Sequence, residues 1–309
     1  MKGLIVPLSE KDLDVSLVLS LAEQIRENPD RFAHVAEGKK LATLFYEPST
    51  RTRLSFEAAM LNLGGKTLGF HSADSSSASK GESVADTIRV ISCYADIAAI
   101  RHPKEGAPLV ASQYSRIPVI NAGDGGHQHP TQTLTDLLTI STLKGRLDHL
   151  TIGLCGDLKF GRTVHSLINA LSRYEGIRFV LISPEVLRLP TYVIQDVLEA
   201  KKIPYQETTS LEEALPGLDI LYMTRVQRER FTDLMEYERV KNVYILKAKM
   251  LENTRSNLRI LHPLPRVNEI AYDVDDSPKA YYFQQAQNGL YARQAILCDV
   301  LGITLQDIL

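Results

Sequence analysis

Leu13, Leu17, Leu21 and Ile25 recur every four residues, which predicts an amphipathic helix, with Ser9 and Asp12 as its start signal. The short apolar run Leu41 to Tyr46 predicts a buried strand. Helical spacing resumes at Leu54, Ala58 and Leu61 and stops at Gly64-Gly65. The segment HSADSSSASKGES (71–83) is polar and serine-rich, and reads as a mobile loop. Val84 to Ile91 predicts a helix, Asp96 to Ile100 a strand, and Val119-Ile120 a second short strand. The glycine-rich turn NAGDGGHQHPTQ follows, and Pro130 opens a helix continued by Leu134, Leu137, Leu138 and Ser141.

A new alternation starts near residue 145. Strands are expected at Leu150 to Cys155, Phe179 to Ile182, Leu218 to Met223 and Leu258 to Leu261. Helices are expected up to Leu171, over Tyr192 to Lys201 and over Leu211 to Leu215, with a last one from Asn288 to Leu301. Alternating strands and helices predict an α/β protein of two domains, each a mostly parallel sheet flanked by helices. The expected division is 1–145, completed by a C-terminal helix at 288–309, and 146–287, with an active site in the cleft between the two.

Composition narrows the class. Lys plus Arg is 35 against 37 Asp plus Glu, a net charge of −2, so no basic excess points to nucleic acid. No apolar run is long enough for a membrane span, and the start MKGLIVPLSEKDL is too short in apolar residues for a signal peptide. A cytoplasmic protein is expected. Cys93, Cys155 and Cys298 are far apart and form no CxxC pair, so buried, reduced cysteines are expected. The histidines lack the spacing of a metal site, and no cofactor is indicated.

The chemistry is concentrated just after the expected strands, where open α/β sheets bind ligands. FYEPSTRTRLSFE (45–57) packs three hydroxyls and two guanidiniums into five consecutive residues. Ser49 and Thr50 stand at a helix start, where free N–H groups and the helix dipole favour an anion. Arg51 adds a forked cation suited to phosphate. His129 precedes Pro130 with Gln132 three residues on, which places two uncharged hydrogen-bonding groups on one face. A histidine near a helix N-terminus tends to stay neutral and can donate to a carbonyl oxygen. GDLKFGRT (156–163) has the spacing of a phosphate-binding P-loop, but Arg162 stands where that motif needs lysine. A nucleotide-hydrolysing reading is therefore the weaker one.

These motifs together resemble the transcarbamoylase family, and within it the aspartate-accepting catalytic chains. FYEPSTRTRLSFE resembles the family's carbamoyl-phosphate signature. SKGES, RHP, HPTQTLTDLL, GDLKFGRTVHSL, YMTRVQRER and HPLPR follow in the family's order and spacing, essentially end to end. HPLPR (262–266) stands where ornithine enzymes resemble one another in HCLP, and Arg225 and Gln227 of TRVQ suit an acidic acceptor.

The resemblance implies transfer of a carbamoyl group from carbamoyl phosphate to L-aspartate. Ser49, Thr50, Arg51 and Thr52 would hold phosphate, with Arg101. Ser76 and Lys80 would come from a neighbouring chain of a homotrimer, with Lys80 shared between both substrates. Thr52, Arg101 and His129 would surround the carbonyl oxygen. Gln132 and the backbone carbonyls of Leu264 and Pro265 would hold the carbamoyl NH2. Arg162, Arg225 and Gln227 would bind the aspartate carboxylates. The C-terminal run YYFQQAQNGLYARQA further resembles chains that assemble with zinc-containing regulatory chains into a dodecamer. An ornithine enzyme and a binding-only homologue are the rival readings.

Overall fold

Among the described residues, nine strands gather into two all-parallel sheets, and their apolar runs account for the burial. A computed structural model of the chain describes residues 14–126 and 129–304. Two compact units result: residues 1–138 with 287–309, and residues 139–286.

In the first unit, β1 (Lys40–Phe45), β2 (Lys66–Phe70), β3 (Ile97–His102) and β4 (Val119–Asp124) form a sheet in the order β2-β1-β3-β4. Parallel strands buried on both faces read as continuous apolar runs. The interior positions of β1 and β3 fit this, with Leu41, Ala42, Leu44, Ile97, Ala98 and Ile100 fully buried. Helices Thr50–Asn62, Val84–Ile91, Ala107–Tyr114 and Pro130–Lys144 lie between or after the strands.

The 50–62 helix forms where the spacing places it, but a different face is buried. Thr52, Phe56, Ala59 and Met60 point inward, whereas Leu54 and Leu61 are 50% and 58% exposed. The first helix runs Val15–Glu27 and is capped by Asp14, whose side chain accepts from Leu17 N. The expected start at Ser9 and Asp12 lies outside the described residues.

The 71–83 segment is not one featureless loop. Two single 3₁₀ turns, Ala73–Ser75 and Ser77–Lys80, are each capped by the serine before them, Ser72 and Ser76. Short polar side chains that bond their own backbone favour such turns.

In the second unit, β5 (Thr151–Cys155), β6 (Arg178–Ile182), β7 (Tyr205–Thr208), β8 (Ile220–Met223) and β9 (Arg259–Leu261) pair in the order β7-β6-β5-β8-β9. Its core joins Cys155, Ile182, Leu221, Met223, Leu246, Ile260 and Tyr282. The helix expected over 192–201 has α geometry only at Thr191–Val193 and continues as wider π turns over Ile194–Glu199. The last helix starts earlier than expected, at Tyr282, and ends at Leu301. Gly289 lies within it because Arg293 lies over the helix: a Cβ at 289 would sit 2.7 Å from Arg293 Nη1.

All three cysteines are free, as expected, but only Cys155 and Cys298 are buried; Cys93 is exposed. It lies just past the 84–91 helix, with its thiol 3.6 Å from Arg89 O.

Candidate active site

Parallel strands present their carboxyl ends on one edge of a sheet, and the chain reverses direction across the sheet at a switch point. In the first unit the switch falls between β1 and β3, where Phe45 pairs with Arg101. The STRTR segment leaves β1 there and enters the 50–62 helix. Ser49 is the N-cap residue by position, yet its side chain makes no capping hydrogen bond. Thr52 is 7% exposed, while Thr50 and Arg51 face solvent.

Arg101 leaves the end of β3 with its Nε 2.8 Å from Glu47 Oε1. That charge-assisted bond fixes one edge of the guanidinium. Gly123 sits beside it near the end of β4, with φ +128° and its N–H donated to Asn121 Oδ1. A Cβ on Gly123 would meet Arg101 Nη1 at 3.3 Å and His129 Cδ2 at 3.7 Å. Arg101 and His129 therefore both border the space that a side chain at Gly123 would take.

His129 is buried and opens the 130–144 helix, its carbonyl accepting from Gln132 N at 3.0 Å. Its Nδ1 lies 3.4 Å from Thr131 Oγ1. Gln132 points its Nε2 at Asp136 Oδ1, 2.8 Å away, so the amide is oriented by a buried carboxylate.

Ser76 and Lys80 stand in the 71–83 segment. The Ser76 hydroxyl is engaged locally, donating to Ala73 O and accepting from Ala78 N. Lys80 is exposed.

In the second unit the switch falls between β5 and β8. Gly156, with φ +118°, follows β5, and a Cβ there would lie 2.3 Å from Thr224 O. Only glycine lets the two strand ends approach so closely. Asp157 comes next, fully buried, and ties the two loops together. It accepts from Phe160 N at 2.9 Å and Gln227 N at 3.3 Å, and its own N–H donates to Thr224 Oγ1. Gln227 Nε2 returns a bond to Phe160 O. Burial pushes the Asp157 carboxyl up, against these backbone donors and the Arg225 charge. The 156–163 segment is thus a loop closed on its own carboxylate, which is not what a phosphate cradle carries. Arg162 begins the helix Arg162–Leu171, after Gly161.

Past β9, HPLPR turns sharply. His262 is 2% exposed, Leu264 has φ +54°, and the Leu264–Pro265 peptide is cis. Arg225 lies near enough for its charge to bear on His262. Arg162, Arg225, Gln227, Leu264 and Pro265 thus follow three neighbouring strands of one sheet.

Glu47 and Asp157 were not singled out by sequence reasoning. The available signal was an acidic residue within two positions of an apolar strand's end, in each case beside a cationic motif. Among the described residues no His/Cys/Asp/Glu cluster has the geometry of a metal site.

Guanidiniums and hydroxyls at the switch points of two parallel α/β units define a class: enzymes that bind small anionic substrates at strand ends. Comparison with known proteins narrows this. Residues 6–142 match the family model described as the aspartate/ornithine carbamoyltransferase carbamoyl-P binding domain, and residues 148–300 match the Asp/Orn binding domain. The chain belongs to the aspartate/ornithine carbamoyltransferase family.

The aspartate carbamoyltransferase catalytic subunit of Lachnoclostridium phytofermentans is 66% identical over 99% of this chain and 100% of its own. That of Clostridium botulinum is 59% identical over 98% of each. Among solved structures, the catalytic subunit of M. jannaschii aspartate transcarbamoylase superposes with a TM-score of 0.90 at 51% identity, covering 98% of both chains. The Trypanosoma cruzi aspartate transcarbamoylase in complex with carbamoyl phosphate and aspartate gives 0.87 at 36% identity, covering 96% of this chain and 95% of that one.

Proposed function

We propose that the chain transfers the carbamoyl group of carbamoyl phosphate to the amine of L-aspartate. The products are N-carbamoyl-L-aspartate and phosphate, an early step of de novo pyrimidine biosynthesis. The observation that carries this reading is the pairing of Arg101 and His129 around Gly123, beside the uncapped helix start of STRTR. A guanidinium and an imidazole close to one point suit a carbonyl oxygen that becomes negative as the amine attacks.

In this reading Ser49, Thr50, Arg51 and Thr52 hold the phosphate, with Arg101 and, from a neighbouring chain, Ser76 and Lys80. Thr52, Arg101 and His129 stabilise the developing oxyanion. Gln132 accepts from the carbamoyl NH2, an assignment supported by Asp136, which takes the amide nitrogen and so leaves Oε1 as the side chain's acceptor. The Leu264 and Pro265 carbonyls accept from the same group. Arg162, Arg225 and Gln227 bind the aspartate carboxylates, and Lys80 serves both substrates.

The amine nitrogen forms the new bond to the carbamoyl carbon. The bond from that carbon to the phosphate oxygen breaks. The leaving phosphate takes the amine proton, so no side chain is needed as nucleophile or base. Rate enhancement then comes from orientation and fixed charge. Residues 1–145 with 288–309 take carbamoyl phosphate, and 146–287 take aspartate; the separate descriptions of the two matching family domains support that division.

The experiment is acceptor choice. Purified protein receives carbamoyl phosphate with L-aspartate, or with L-ornithine, and the carbamoylated product is quantified. Product with aspartate only is expected. Product with ornithine only overturns the roles of Arg162, Arg225 and Gln227.

The same reading includes a cytoplasmic homotrimer with shared sites, and assembly with zinc-containing regulatory chains. It is supported by relatives named catalytic subunits. Mixing inactive Arg51→Ala and Lys80→Ala chains should restore part of the activity, through one sound site across an interface. A mixture as inactive as its parents removes Lys80 from the neighbour's site.

A further inference from the structure

His262 stands directly after β9, and both of its ring nitrogens are engaged. Nε2 lies 2.7 Å from Glu269 Oε1, and Nδ1 lies 2.8 Å from Leu264 N. A backbone N–H can only donate, so Nδ1 must be the bare acceptor and Nε2 must carry the proton. The imidazole is thereby fixed as one neutral tautomer. Its side chain is 1% exposed and that of Glu269 8%.

Glu269 has more than one donor. Val267 N and Asn268 N each lie 3.1 Å from its Oε2. His262's own N–H donates to Gln285 Oε1 at 2.8 Å. Every polar group around the imidazole is thus matched, which makes the cluster stiff. Burial holds His262 below the usual histidine range, despite Glu269, with Arg266 and Arg225 adding to the effect.

What this cluster holds is Leu264, at φ +54°, a backbone state that is strained for a residue with a side chain. The bond from Leu264 N to Nδ1 opposes that strain directly.

We propose that His262, locked by Glu269, is a positioning residue that aims the Leu264 and Pro265 carbonyls at the carbamoyl NH2 without touching substrate. The proposal rests on the transferase reading, because the target of those carbonyls comes from it.

Two substitutions separate the ring's two bonds. His262→Asn puts an amide oxygen near the place of Nδ1 and keeps the acceptor for Leu264, but loses Glu269. His262→Gln reaches Glu269 with its amide nitrogen but leaves Leu264 N without its acceptor. Both remove the ring, so a purely structural role would lower the melting temperature and activity of the two alike.

A positioning role predicts a split. His262→Asn should keep kcat within about threefold, whereas His262→Gln should lose about 10- to 100-fold, the scale of a small misplacement of reacting groups. Hydrogen–deuterium exchange of the peptide spanning 262–268 should rise in the Gln variant only. Equal kcat losses with unchanged exchange would overturn the proposal. Should His262→Gln fail to fold, His262→Leu carries the test. It too leaves Leu264 N without its acceptor, so exchange should rise and kcat fall at least about tenfold, and a normal kcat would overturn the proposal. A wild-type chain inactive with carbamoyl phosphate and aspartate would sink the reaction instead. The exchange arm alone would then decide whether His262 holds the turn.

Discussion

Gly123 has two reasons to be glycine. Its φ of +128° is costly for any residue with a Cβ, and the space that a Cβ would enter is bordered by Arg101 Nη1 and His129 Cδ2. Gly123→Ala should therefore act on both stability and turnover. The backbone cost is about 1–3 kcal/mol. The displaced guanidinium should lower kcat by about 10- to 100-fold. Urea unfolding and steady-state kinetics on the same preparation check the two effects, and an unchanged kcat would show that Arg101 does not depend on this glycine. At this scale the sequence offers candidates where residue type alone limits the chemistry: Arg51, His129 and Arg225 are proposed on that ground. Asp157 and Glu47 could not be singled out, because their work is to hold backbone or arginine across segments 54 to 70 residues apart in the chain.

Elements bring a different kind of test. At the start of the 50–62 helix the Ser49 side chain makes no capping hydrogen bond, and a helix N-terminus favours an anion. Phosphate or carbamoyl phosphate should raise the melting temperature with concentration, by about 2.7 kcal/mol of stability at one hundred times Kd. Arg51→Ala should flatten that response, and thermal shift titration reads it.

The 130–144 and 282–301 helices meet through Arg293. It donates from Nη1 to Gly289 O at 2.8 Å and from Nη2 to Thr131 Oγ1 at 3.3 Å, with its guanidinium over the Phe56 ring. Burial pushes it down to about 10, and the Asp136 charge opposes that. Arg293→Ala should cost about 1–3 kcal/mol in chemical unfolding, since it removes a buried guanidinium's hydrogen bonds to Gly289 O and Thr131 Oγ1 and its charge near Asp136. A loss under about 1 kcal/mol, the level of exposed pairs, would mean that Asp136 has other sufficient partners.

Long interior elements were legible, as with β1, β3, β5 and the 84–91 helix. The strands that escaped, β2 and β7, are both sheet edges with mixed exposure, so no apolar run marks them. The helices Ala107–Tyr114 and Leu234–Val240 escaped because apolar side chains on both stay exposed, Leu109, Val110, Leu234 and Met235 among them. The 50–62 helix shows the limit of periodicity: Leu54 and Leu61 announced a helix but not which side of it faces the core.

For the molecule as a whole, acid should be the sensitive direction. Burial holds His102, His165 and His262 below the ordinary histidine value. The unfolded chain takes up protons at these sites near pH 6.5, while the folded chain resists, so stability falls as pH falls below about 6.5. Each histidine contributes at most about 1.4 kcal/mol per pH unit, and the half-buried ones less. Asp157, pushed up by burial, runs the opposite way at lower pH. Melting temperatures between about pH 7.5 and 5 should therefore decline, and a flat profile would contradict the neutral assignment of these rings. Fold class was legible at this scale because parallel α/β alternation leaves a periodic trace. The division of the chain is set by long-range packing, which puts the unit boundary at Leu138 and Ala286, inside helices rather than in a polar linker.

That division has a consequence for the chain as it leaves the ribosome. Residues 139–286 form one uninterrupted stretch and can complete their sheet as soon as they emerge. The first unit cannot. Its opening stretch waits for residues from 287 on, made after the whole of the second unit, to supply Arg293 for Thr131 and its charge for Asp136. The unit begun first is thus completed after the second, and until Arg293 is made its buried helices lack that guanidinium.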